Sequence, residues 1–458
     1  DGIRDRDVTG VQTCALPIYA NPATAASEVY DGISLTGATI KSTGSGNITL
    51  SGKGGAGANT AETNRGINIV SSSLIQTGSG SITLTGNAGL YNGTGDFCIA
   101  GINLDTSDIL STSGNISLTG NGSSTGTATV GDCDGVNLEI ASDIVTGSTG
   151  SVSIIGTAFR NGEGVDIQDN TNNTVFAGSG GLTIEGYAAD SLGVEIQGPS
   201  NTTTVLKAGS GAISIKGISD TNDALNLSDL LIGDGTVTNL TITATGGSVT
   251  ASGDDDGVWL SNVSATITGT LTINSTSGDT GETEILAGTT LNAATINITA
   301  TTGNSDALNI VSSTLDASGN LTINSSCSGG TGDNDGLYLN AATLTADGTL
   351  TVNATATADG EGLQLETGTA VTAATVILNA TVGATGSEAL VLNGTSTVTA
   401  TGSAGVTDQI IDYTFDSSTW HHYAFTFNNL NTSDLEICLY VDGILAAKSL
   451  YLGLGGVS

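Results

Sequence analysis

Apolar and polar positions alternate in short triplets along most of this chain, and the triplets recur. Between Gly336 and Asn353 the pattern is plainest: Leu337, Tyr338, Leu339 and then Leu350, Thr351, Val352 each set two apolar side chains on one side of an extended segment and one residue on the other. The first triplet returns at Ile33, Ile67, Ile102, Val136, Val165, Val194, Leu225, Val258, Leu308, Leu337, Leu363 and Leu390, with Glu284 standing where an apolar residue is expected. Copies follow at intervals of roughly 24 to 35 residues, a repeat-protein period. The second triplet follows the first, as in Ile48/Leu50, Ile82/Leu84, Ile116/Leu118 and Leu350/Val352. A single further apolar residue between them (Ile40, Ile75, Ile144, Leu291, Leu315, Leu344) predicts a third, shorter strand.

Period-two triplets separated by Gly, Asn, Asp and Ser predict strands and turns and leave no room for crossover helices. One copy alone cannot bury its apolar side; stacked copies can. The expected fold is therefore all-β: a right-handed parallel β-helix of about thirteen coils over residues 30–405, roughly 60 Å long at one strand spacing per coil. A string of antiparallel sandwiches is the competing arrangement, but the hairpin and linker signals it needs are missing from the sequence.

Both ends depart from the repeat. Val8 to Ile18 resembles the in-frame translation of a sequencing-adapter oligonucleotide, so residues 1–18 are set aside as an artefact, and 19–29 read as a lead-in. With no methionine at any position, the chain is expected to be an internal piece of a longer product. Over 406–458 aromatic residues concentrate and both histidines, His421 and His422, are found. A second fold is expected to begin there.

Composition narrows the partners. The chain of 458 residues holds 67 Gly, 3 Pro and a net charge of −35, which repels nucleic acid and anionic membrane surfaces. No apolar run reaches membrane-spanning length, so no membrane insertion is expected. The rod up to position 420 contains no histidine, which excludes Ser-His-Asp and His-ligated metal chemistry from it.

Stacking turns matching positions into columns. Acids precede the first triplet in most copies, and the richest corners are Asp254-Asp255-Asp256, Asp333-Asn334-Asp335 and Asp132-Cys133-Asp134. Oxygen-only ligands of this kind suit calcium, but the simpler reading is a solvated acidic edge that keeps the rod soluble, since the Gly-Gly-x-Gly-x-Asp calcium repeat is absent. On the second strand the outward residue is nearly always small and hydroxylated: Thr49, Thr83, Thr183, Thr241, Thr272, Thr322, Thr351, with Ser117, Ser153 and Ser214. That rank predicts a flat hydrogen-bonding face for glycans, another surface or ice, or simply the residue type an exposed strand favours. Cys98 and Cys133 stand at nearly the same offset in successive copies, which permits a coil-to-coil disulfide or two stacked thiols. Asn47, Asn115, Asn239, Asn262 and Asn320 begin Asn-x-Thr/Ser triplets, which this composition produces freely, and no role is assigned to them. For an enzyme, Arg160 with Glu163 and Asp166 is the nearest cluster.

The Gly101–Leu104, Gly336–Leu339 and Gly319–Ile323 motifs resemble the repeat regions of large bacterial exoproteins, the filamentous haemagglutinin-like and autotransporter-type adhesins. That resemblance implies a non-enzymatic rod, extracellular or at the bacterial cell surface, presenting binding surfaces to glycans or host cells. A carbohydrate-active β-helix lyase or hydrolase and an ice-binding protein are the alternatives. Trp420 to Thr426 and Leu439 to Gly443 resemble strands of laminin-G-like, concanavalin-A-like domains, which implies an incomplete jelly-roll-like fragment at 406–458.

Overall fold

The computed structural model describes residues 16–20, 29–56, 63–90, 99–123, 133–159, 161–168, 173–199, 204–247, 255–278, 280–329, 334–357, 360–383, 388–401, 423–429, 434–441 and 444–452. Among these, every regular element is a strand. The repeat forms a parallel β-solenoid with three strands per coil, here named faces A, B and C in chain order. Face A runs from Ile33–Thr36 through Ile102–Asp105 to Leu390–Leu392, each strand pairing in parallel with its equivalent one coil on. Face B is the short strand, from Thr39–Lys41 onward, and face C the longer one, from Ile48–Lys53 onward.

Register makes the core. Ile33 lies beside Ile67 and Ile67 beside Ile102 on face A, while Ile48, Ile82 and Ile116 form the matching file on face C. These side chains join one continuous apolar cluster that extends to Ala373. Because side chains alternate along a strand, the same register that buries Ile and Leu brings every outward rank into line.

The corner between faces A and B is a left-handed turn repeated coil after coil, at Ser72, Thr106, Ala141, Asp229, Asn262, Ser312 and Ala341, and at Gly288 and Gly368. Under face B a second file is polar yet buried. The amides of Ser73, Ser107 and Ser142 donate respectively to Ser107 Oγ at 3.1 Å, Ser142 Oγ at 3.3 Å and Asn173 Oδ1 at 2.9 Å, so hydroxyl and amide oxygens satisfy backbone groups that the corner takes out of water.

One expectation is adjusted. Thr283, not Glu284, takes the inward face A position opposite Val258, and Glu284 points the way Trp259 does. Thr283 is buried there because its hydroxyl hydrogen-bonds Ser275 Oγ at 2.7 Å, which satisfies the one polar atom an inward threonine brings. At the other end, Leu16–Ala20 pairs in parallel with Ile48–Gly52. The exposed edge of a β-stack is a template for any extended segment that reaches it. Near the C-terminus, Tyr423–Asn429, Asp434–Val441 and Ile444–Leu452 form an antiparallel three-stranded sheet.

Candidate functional site

The acids that precede face A are set by the turn entering it, two residues ahead of the first inward side chain. Their principal contact is the backbone of the next coil. Asp31 Oδ1 accepts the N–H of Arg65 at 3.0 Å, Asp134 Oδ1 that of Glu163 at 3.0 Å, Asp223 Oδ1 that of Asp256 at 2.9 Å, and Asp256 Oδ1 that of Glu282 at 2.7 Å. Asp306 Oδ1 takes Asp335 N–H at 2.6 Å and Asp335 Oδ1 takes Glu361 N–H at 2.8 Å. The column therefore stitches coil to coil.

Burial raises the carboxyls of Asp31, Asp256 and Asp335 above the ordinary range, Asp256 to about 8. The neighbouring acids Asp223, Glu284 and Glu282 add to the desolvation of Asp256, against the backbone hydrogen bond, which favours its ionised form.

Of the residues singled out for calcium, Asp132, Asp254 and Asp333 lie outside the described residues, as does Arg160. Asp255 and Asp256 are buried in adjacent positions, and Asp335 is buried one stitch along from Asp306. Asp134 is brought together with Glu163 and Asp166: one carboxylate oxygen from each lies within 4.8 Å of the other two. Asp166 is the outward residue of the face A strand Val165–Gln168, in register between Asn137 and Glu195. Its carboxyl is pushed well above the usual range by burial first and then by Asp134, Glu163, Glu195 and Glu139. Along the sequence these residues fall in different groups, Asp134 among the calcium-type acids and Glu163 with Asp166 beside Arg160. Coil length hid their meeting.

Cys133 is buried, whereas Cys98 lies outside the described residues. The third rod cysteine, Cys327, sits in the core, its thiol raised chiefly by burial and donating to Gly329 O at 3.2 Å.

Face C carries the hydroxylated rank. Thr49, Thr83, Ser117, Ser153, Thr183, Ser214, Thr241 and Thr272 follow one another in direct register, continuing through Asn297 to Thr322, Thr351 and Ile377. From Leu240 to Ala356 the two outward ranks beside it are also Thr, Asn or Ser, as in Thr243/Thr245, Asn274/Thr276 and Asn353/Thr355. All are at least partly exposed. Asn324, Asn353 and Asn379 form an amide ladder across the coils, each Nδ2 donating to the Oδ1 before it at 2.8 and 2.7 Å. Earlier coils interrupt the neutral face with Ile155, Tyr187 and the pair Lys216–Glu185 at 2.6 Å.

Four of the five Asn-x-Thr/Ser asparagines have a structural task that sequence does not disclose. Asn47, Asn115, Asn239 and Asn320 accept the N–H of Ser81, Ser151, Thr270 and Thr349 at 2.8, 3.0, 2.9 and 2.8 Å, repeating at the entry to face C what the acids do at the entry to face A.

No helix among the described residues is long and apolar enough to cross a membrane. No protein-family model, curated protein or solved structure matches the chain.

Proposed function

We propose that the chain is a non-enzymatic rod of the adhesin type, secreted or held at a bacterial cell surface, whose face C engages glycans or another surface. The carrying observation is the stretch of face C between Leu240 and Ala356. In a protein of net charge −35, its three outward ranks hold only Thr, Asn and Ser. Strand pairing spaces these hydroxyl and amide groups by about 4.8 Å from coil to coil. A flat array of neutral donors and acceptors is suited to the hydroxyl-rich surface of a polysaccharide and offers nothing to a phosphate backbone.

In this reading the solenoid is right-handed, as parallel crossovers are, with about thirteen coils acting as a spacer. The antiparallel strands between Tyr423 and Leu452 are the remnant of a laminin-G-like module. A glycan array and a cell-binding assay with the full chain test the reading. Binding that is lost when Thr243, Asn274 and Thr322 are replaced by glutamate supports it; blank results in both assays overturn it. The same preparation separates the alternatives: polysaccharide turnover abolished by Arg160→Ala would mean an enzyme, and thermal hysteresis lost on enlarging Thr241 and Thr272 would mean an ice-binding face.

A further inference from the structure

We propose that the corner where the coils of Val136 and Val165 enter face A is a binding site for a divalent, oxygen-seeking cation of the calcium class, held by the carboxylates of Asp134, Glu163 and Asp166. The distances fit this ion. Two oxygens that both touch a calcium at about 2.4 Å can lie at most about 4.8 Å apart, and the three carboxylates meet that limit pairwise.

The second observation is independent of the clustering. Asp166 Oδ1 is sealed from solvent and accepts no hydrogen bond, although the residue keeps some exposed surface elsewhere. A buried carboxylate oxygen without a partner is costly, and a bound cation is the ligand that satisfies it while also relieving the acids around it. A single proton would answer Asp166 alone and leave Asp134, Glu163, Glu139 and Glu195 facing one another.

The ligands are also held in place. Asp134 is fixed through one oxygen by Glu163 N–H at 3.0 Å, and Glu163 by the Ser191 hydroxyl at 2.8 Å. On either side, Asn137 Nδ2 holds Glu139 at 2.7 Å and Gln168 Nε2 holds Glu195 at 2.7 Å. Among the described residues the site is singular. The stacked acids Asp223, Asp256 and Glu282, and Asp306, Asp335 and Glu361, occupy the equivalent places in other coils without bringing three carboxylate oxygens within that distance. Asp166 is the first acid in its rank, after Asn68, Asn103 and Asn137, and it is the one whose carboxylate oxygen comes within that distance of the acids of two successive coils, which Glu284 beside Asp256 and Glu282 does not.

The test uses the full chain stripped with EDTA, titrated with calcium chloride in a calorimeter and melted with and without the ion at constant ionic strength. Wild type is expected to show saturable one-site heat and a higher melting temperature with calcium. Asp166→Asn, equal in size, is expected to lose both or to bind more than about tenfold more weakly, since even outer-shell changes cost that much. Asp256→Asn, at a stitching position, is expected to keep the response. Glu163→Gln decides the matter if Asp166→Asn lacks the β-sheet circular dichroism of wild type. The proposal is overturned if wild type gives no heat, if sodium chloride raises the melting temperature equally, or if Asp166→Asn responds as wild type does. None of these outcomes bears on glycan binding by face C, so the two readings stand or fall separately.

Discussion

Asp256 Oδ1 accepts the backbone N–H of Glu282 at 2.7 Å, across one coil of the solenoid. The bond joins a side chain to the main chain of its neighbour, and with the adjacent backbone bond from Gly257 N–H to Glu282 O at 2.9 Å it ties the two coils together just ahead of the face A strand. Acids in this column are therefore not solvated decoration. They are acceptors whose charge is a burden, because Asp256 is buried with Asp223, Glu282 and Glu284 around it.

That burden predicts a pH dependence. The Asp256 carboxyl lies at about 8 in the fold against an ordinary 3.8, so the folded state binds the extra proton and stability falls as pH rises through that window. Asp256→Asn keeps an oxygen for Glu282 N–H and removes the charge. The variant is expected to melt above wild type near about pH 9 and level with it near about pH 4, the bounds of the linkage window. Thermal melts of both proteins across that range check this; a variant less stable at the alkaline end would refute the sign.

A glycine file gives a second prediction. Gly52, Gly86, Gly120, Gly156, Gly186 and Gly217 are in register on face C. A Cβ on Gly120 would lie 1.9 Å from Gly135 O, a backbone atom that cannot swing aside. Gly120→Ala is expected to cost at least the 1–3 kcal/mol of ordinary overpacking, about that range or beyond. Ala244 holds the same file position after Gly217, and Ala244→Gly should cost only about 1 kcal/mol. Urea unfolding of the two variants compares them directly.

Much of this architecture was legible because Ile33, Ile67 and Ile102 announce themselves by hydrophobicity and period. Their register follows from nothing else. The site was less legible, for a physical reason. Asp134 meets a backbone amide 29 residues on, and amides have no letter in a sequence. Variable coil lengths likewise disguised that Asp134, Glu163 and Asp166 share one corner. The inward place of Thr283 was missed because its hydroxyl is satisfied by Ser275, a partner only the fold supplies.

The asparagine stitches supply a third prediction. Asn320 Oδ1 accepts Thr349 N–H at 2.8 Å on an exposed corner. Asn320→Ala should lower stability by about 1 kcal/mol, the usual net worth of such a bond. Asn320→Asp retains the acceptor and should cost less. Equal losses in the two variants, measured by denaturant unfolding, would show that the oxygen is not what matters.

The sharpest check of register compares two adjacent isoleucines. Ile154 is fully buried between Leu118 and Ile184, whereas Ile155, the next residue, points outward and is 36% exposed. Ile154→Ala should cost about 2–5 kcal/mol through lost burial and the cavity left behind. Ile155→Thr should change stability by no more than about 0.5 kcal/mol, as surface changes do. Because strand side chains alternate, a slip of one residue would exchange the two roles. In a solenoid the loss at Ile154 falls mainly on its own coil and the two beside it. Amide hydrogen exchange should accordingly rise around Leu118 and Ile184 and stay unchanged near Leu350. A greater loss at Ile155 than at Ile154 would dismantle the stack as described, and with it the alignment of every outward rank.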